Sequence, residues 1–152
     1  MVGETNPHNH DLSPEERSVP GQSLDLCITM LSKVSSLLEP GRDINQYTLV
    51  SLSSCYRDSG IVYRKLKEIS KHEKIKGDDT FKKIISDLID AMGHLETAIQ
   101  LKKEHEGIIP MTDDKKSKGS ILNEHISYRN QCYSLVDTIV DNFRQWRGQV
   151  EL

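Results

Sequence analysis

Residues 81–99 read FKKIISDLIDAMGHLETAI. Phe81, Ile84 or Ile85, Leu88, Ala91 or Met92, Leu95, and Ala98 or Ile99 recur at alternating steps of three and four. That spacing puts them on one face of an α-helix, whereas a strand would need alternation by two. Asp78 or Asp79 stands where a helix N-cap belongs. Gly107 and Pro110 follow where a helix should stop, so this stretch predicts a helix from about residue 79 to Glu106. The pattern extends over nearly three heptads, which is the spacing of coiled-coil packing.

Working outward, the same periodicity appears on both sides. Towards the C-terminus, Leu122 (or Ile121), His125, Tyr128, Cys132, Leu135 (with Val136), Ile139, Phe143 (or Asn142) and Trp146 predict a helix from about Ser120 to Arg147. The connection 107–119 has an apolar first half, expected to pack, and a charged second half. Towards the N-terminus, Asp43 and Gln46 have capping-box spacing. They open a long helix expected to run to about Lys76, with Tyr47, Leu52, Cys55 or Tyr56, Ser59, Val62 or Tyr63, Leu66 and Ile69 as its stripe. Asp58-Ser59-Gly60 resembles turn chemistry, so a kink or break at Gly60 is the alternative. A short first helix from Ser23 to Leu38 carries Leu24, Cys27, Ile28, Leu31, Val34 (or Ser35) and Leu38, and ends at Pro40-Gly41.

The fold class that follows is all-α. It is an elongated bundle of about four helices, three long and one short, with coiled-coil-like packing. Residues 1–21 hold three of the five prolines and almost nothing apolar, and read as a disordered acidic tail. Residues 22–148 form the bundle domain, and 149–152 the C-terminal end. Hydrophobic residues are 36% of the chain and aromatic residues 5%, which favours thin helical packing, or a core shared with a partner, over a thick globular interior.

Several function classes lose support. No G-x-x-x-x-G-K-[ST], G-x-G-x-x-G or G-x-S-x-G occurs. Neither Glu-x-x-His nor His-Glu-x-x-His is present, so a bundle metalloenzyme is a distant alternative. His8 and His10 form an H-x-H pair with only Asp11 beside it. No catalytic, cofactor-binding or metal-ligating residue is assigned. His125, on an apolar stripe, is expected to be a hydrogen-bonded core residue. Cys27, Cys55 and Cys132 lack C-x-x-C spacing and read as reduced thiols of a cytoplasmic or nuclear protein. No run of about 18 apolar residues would span a membrane.

Charge is more informative. Between residues 61 and 76, Arg64, Lys65, Lys67, Lys71, Lys74 and Lys76 stand against Glu68 and Glu73, six minus two. Arg64, Lys67, Lys71 and Lys74 step by three and four and would form a basic ridge on one helix face. Few aromatic residues are interleaved for base stacking, so the preferred partner is an acidic, helical protein surface. Trp146 and Arg147 are of the types enriched in interface hot spots and are a second candidate contact, unless Trp146 caps the core. The expected function is a non-catalytic interaction subunit or adaptor of an intracellular assembly, associating with itself or with other chains. The alternative is an anion-binding adaptor that uses residues 64–76 on nucleic acid or anionic membrane.

Overall fold

The computed structural model describes residues 19–41 and 48–151. They form four helices: α1 (Val19–Leu38), α2 (Leu49–Ile69), α3 (Asp79–His105) and α4 (Lys118–Gln149). The described chain is all-helical, and the four helices pack as an up-and-down bundle in the ring order α1–α2–α3–α4. The α3–α4 seam is the most extensive contact. The helices hold 20, 21, 27 and 32 residues, or about 30, 32, 41 and 48 Å at 1.5 Å per residue.

Each boundary has a local cause. α1 starts at Val19, not Ser23, because Pro20 fits a first helical turn, where its missing N–H is not needed. Residues 19–21, assigned to the tail from sequence, therefore belong to the bundle, while 1–18 lie outside the described residues. α2 is capped by Thr48, whose side chain accepts from the Ser51 N–H at 3.1 Å. The Asp43–Gln46 capping box and Tyr47 lie outside the described residues. α2 passes through Gly60 unbroken, but stops at Ile69 rather than at Lys76. Two side chains compete with the helix there. The Ser70 hydroxyl donates to the Lys67 carbonyl, and His72 Nδ1 accepts the Lys74 N–H at 3.2 Å. Ile75, fully buried, pins the following turn, and Gly77 completes it at φ +86°.

α3 matches its expected limits, with Asp78 as cap and Gly107 at φ +74° beyond its end. α4 begins earlier than expected, capped by Ser117, and continues through Gly148 to Gln149. Ile109 and Met111 are half-buried as the apolar half of the connection predicts, but Ile108 is exposed.

The core comprises the facing stripes of all four helices, among them Leu24, Leu31, Leu52, Leu66, Phe81, Leu88, Leu95, Val136, Ile139 and Phe143. In the first half of α4 the buried positions are Ile121, His125, Arg129, Cys132 and Val136. They include Arg129 in place of the expected Tyr128, and Val136 of the expected Leu135–Val136 pair, with Leu135 half-buried beside it. Tyr128 instead lies over His94, ring centroids 5.9 Å apart.

One carboxylate joins two elements at the base of the bundle. Asp78 Oδ1 accepts the Phe81 N–H at 2.9 Å, and its Oδ2 accepts from Trp146 Nε1 at 3.0 Å. Trp146 is 4% exposed and packs on Phe81 and Phe143, with centroids at 4.9 and 6.1 Å. Burial pushes the Asp78 carboxyl upward, but the bonds from Trp146, Phe81 and Thr80 outweigh it and hold the group below its usual range. Trp146→Phe should keep the ring packing and lose the bond, costing about 1–3 kcal/mol in a urea titration. Trp146→Ala should cost about 3–5 kcal/mol. The Asp78 contribution is present above about pH 4, its unfolded value, and is lost as pH falls through the lower folded one. The difference between wild type and Trp146→Phe should shrink over that acidic window.

Candidate functional site

The residues singled out from sequence separate into three places. Arg64 and Lys67 are exposed on α2, whereas Lys71 and Lys74 are exposed on the turn that follows Ile69. The ridge is therefore not one continuous helix face, because its geometry required a helix to Lys76. Trp146 is in the core, bonded to Asp78, and is not a free anchor. Arg147 Nε lies 3.0 Å from Asp25 Oδ1 on α1, and Nη1 donates to the Val150 carbonyl at 3.4 Å. Trp146 is thus engaged in the core and Arg147 in a surface ion pair between α4 and α1.

The turn after α2 gathers a different basic group. Lys67, Lys76 and Lys82 line a cleft of about 530 Å³ between the end of α2 and the start of α3. Its apolar floor is Ile75, Phe81, Ile85 and Ile89. All three lysines are exposed, and among the described residues none of their side-chain ammonium groups has an ion-pair or hydrogen-bond partner. Lys82 escaped the sequence reading because it belongs to the next helix. Only the turn 70–77 brings it beside Lys67. Lysines spaced on either side of a Gly-Asp helix start were the available signal.

Ile89, half exposed, also lines a second cleft of about 360 Å³, formed with Tyr56, Tyr63, Met92, Gly93 and Glu96. Tyr56 and Tyr63 flank the buried stripe of α2 and are half-buried. The Tyr56 hydroxyl donates to Glu96 Oε2 at 3.2 Å, closing the far end of the groove. Two glycines border this seam. A Cβ at Gly60 would meet the Met92 methyl at 3.7 Å, an ordinary contact, and one at Gly93 would meet nothing within 4 Å. Packing therefore requires neither glycine. At Gly93, mid-helix, glycine costs about 1 kcal/mol relative to alanine and leaves the groove floor open. From Lys82 to Glu96 the combined groove follows 14 residues of α3, about 21 Å.

The remaining titratable groups face inward. Burial pushes the thiols of Cys27 and Cys55 up to about 11 and that of Cys132 to about 12, so none is poised as a nucleophile. His125 is fully buried, with Nδ1 2.6 Å from the Ala98 carbonyl. A carbonyl only accepts, so Nδ1 carries the proton and the neutral ring leaves its lone pair on Nε2. Burial lowers the His125 pKa. The Ala98 bond opposes that shift, while Arg129, Lys102 and His105 add to it. Buried Glu104 accepts from the Thr112 N–H at 2.9 Å and from its hydroxyl at 3.3 Å, tying the 106–117 connection to α3. Among the described residues no group of three or more His, Cys, Asp or Glu is placed to hold a metal ion. No helix among the described residues is long and apolar enough to cross a membrane.

No family model matches the chain, and neither a curated protein nor a solved structure matches it. The site's own geometry therefore carries the functional argument.

Because the unfolded chain takes up a proton near pH 6.5 and folded His125 resists it, stability should fall as pH drops through about 6.5. Urea midpoints measured across that window should flatten in His125→Gln.

Proposed function

We propose that the protein is a non-catalytic interaction module whose α2–α3 groove receives an amphipathic helix with acidic residues at one end. The observation that carries this reading is the adjacency of two clefts on the α2–α3 seam, one apolar and one rimmed by three lysines, which share Ile89 as a common wall. An apolar helix face laid over Tyr63, Ile89 and Met92 would use i, i+3/i+4, i+7 anchors. About 21 Å of groove accommodates roughly four turns of such a helix. Glu96 at one end and the lysines at the other give the groove polarity. The partner's acidic end belongs over Lys67, Lys76 and Lys82, and a basic residue near Glu96. The internal engagement of the cysteines supports a role without covalent chemistry. Work as an adaptor or subunit in the cytoplasm or nucleus, where thiols stay reduced, is consistent with three unlinked cysteines.

A second reading keeps the lysines and drops the groove: an anionic polymer or lipid surface held by Lys67, Lys76 and Lys82 alone. Such binding would be steeply salt-dependent and indifferent to the groove.

The test uses a synthetic helix with leucines at i, i+3 and i+7 and glutamates at its C-terminal end, titrated into isotope-labelled protein. Amide shifts should concentrate at Tyr63, Ile89, Met92 and Gly93. Gly93→Gln, which fills the floor, should weaken binding roughly tenfold, about 1.4 kcal/mol. Lys82→Glu should do likewise while leaving the fold intact. Shifts limited to the lysines, reproduced by single-stranded DNA or anionic vesicles and unchanged in Gly93→Gln, would replace this reading with the second.

A further inference from the structure

We infer that the acidic segment preceding α1 docks onto the lysine cleft of its own chain and competes there with the partner. This rests on the reading of that cleft as an acid-binding surface.

Charge is the first argument. Residues 4–17 contain Glu4, Asp11, Glu15 and Glu16 against Arg17, four acids minus one base. Lys67, Lys76 and Lys82 converge on one cleft, and none of their ammonium groups forms an ion pair among the described residues. Asp78, the acid in that wall, is already engaged by Trp146 and the Phe81 N–H.

Position is the second. The N-terminal end of α1 and the cleft are at the same end of the bundle. The Arg147–Asp25 pair puts the first turns of α1 against the end of α4. Trp146, one residue earlier, is bonded to Asp78 and stacked on Phe81, both of which line the cleft. On the other flank, α1 packs against α2, the helix that leads into the turn beyond Ile69. Asp11 is eight residues before Val19, a reach of up to about 28 Å in extended chain. Adjacent helix axes are only about 8–10 Å apart, so Asp11 can cross α2 to the cleft, while Glu15 and Glu16 stay nearer the end of α1.

The third argument is the apolar complement. Leu12 lies between Asp11 and the Glu15-Glu16 pair. The cleft has the matching order: an apolar floor of Ile75, Ile85 and Ile89 within a lysine rim. A short tether gives its occupant an effective concentration in the millimolar range, so even a weak contact holds the cleft against a dilute partner. Phosphorylation of Ser13, which precedes Pro14, would add about −1.5 to −2 charge and tighten the contact.

The experiment uses the full chain with Ser13→Cys carrying a nitroxide, since Cys27, Cys55 and Cys132 are buried. Backbone amide signals of Lys76, Gly77 and Lys82 should be broadened, while those of Gly119 and Asn123 at the opposite end keep their intensity. The broadening should disappear at about 1 M salt, where the screening length falls to about 3 Å. It should also disappear in the combined variant Lys67→Glu, Lys76→Glu, Lys82→Glu. Removal of the segment's acids (Asp11→Asn, Glu15→Gln, Glu16→Gln) should strengthen binding of the glutamate-tipped helix several-fold. Broadening spread evenly over the surface, or persisting in the triple variant, would overturn the inference. So would broadening seen only between a labelled and an unlabelled chain, which would make a second copy the occupant. If the label reports no docking and the helix still shifts Ile89 and Met92, this inference alone fails. If the helix also leaves the groove unmoved, the underlying reading fails with it.

Discussion

Asp78 is the constraint from which the rest of the arrangement follows. Its two carboxylate oxygens perform separate tasks, one capping α3 and one holding the Trp146 indole of α4. Apolar stripes attract without direction, and two helical rods with stripes of similar period can slide by a turn and still bury much of their surface. A hydrogen bond cannot tolerate that displacement. The Asp78–Trp146 bond therefore fixes the register of α3 against α4 at one end, and the His125–Ala98 bond fixes it at the other. With α4 held, Arg144 reaches Ser32 and Arg147 reaches Asp25, which orient α1.

The same register decides what remains on the surface. α3 commits Phe81, Ile84, Leu88, Ala91 and Leu95 to the core. Its next flank, Ile89, Met92, Gly93 and Glu96, is then turned towards α2. α2 offers Tyr56 and Tyr63 to that flank. Because α2 ends early, the turn 70–77 folds Lys76 and Lys82 towards Lys67. The lysine cleft thus results from a helix that stops at Ile69, the last residue of its apolar stripe, seven residues short of the expected Lys76.

The fold was largely legible because apolar spacing and caps act locally. Asp78, Gly107 and the Phe81 to Ile99 stripe placed α3 within a residue of its observed limits. Leu52, Cys55, Ser59, Val62, Leu66 and Ile69 are all buried as the α2 stripe predicted. Errors arose where two neighbouring residues were equally good by period. In α4 the seam buried Arg129 in preference to Tyr128, and of the pair Leu135 and Val136 it buried Val136 more deeply. A position about 100° round the helix differs little in spacing, and only the facing helix distinguishes the two. The end of α2 was missed for a related reason: Ser70 and His72 divert backbone groups only once the chain begins to turn.

The candidate site was much less legible. Lys67 was identified, but in a ridge with Lys71 and Lys74 that the turn breaks. Trp146 was read as either core or anchor, and its bond to Asp78, 68 residues away, places it in the core. By itself the sequence determined that this chain is helical, roughly where each helix lies, and which residues are apolar enough to be drawn inward. Those properties depend on interactions within a few residues. The tertiary structure alone decided register, the convergence of Lys67, Lys76 and Lys82, and the open seam at Gly93. Each of these depends on contacts between residues on separate helices, which periodicity along one helix does not encode.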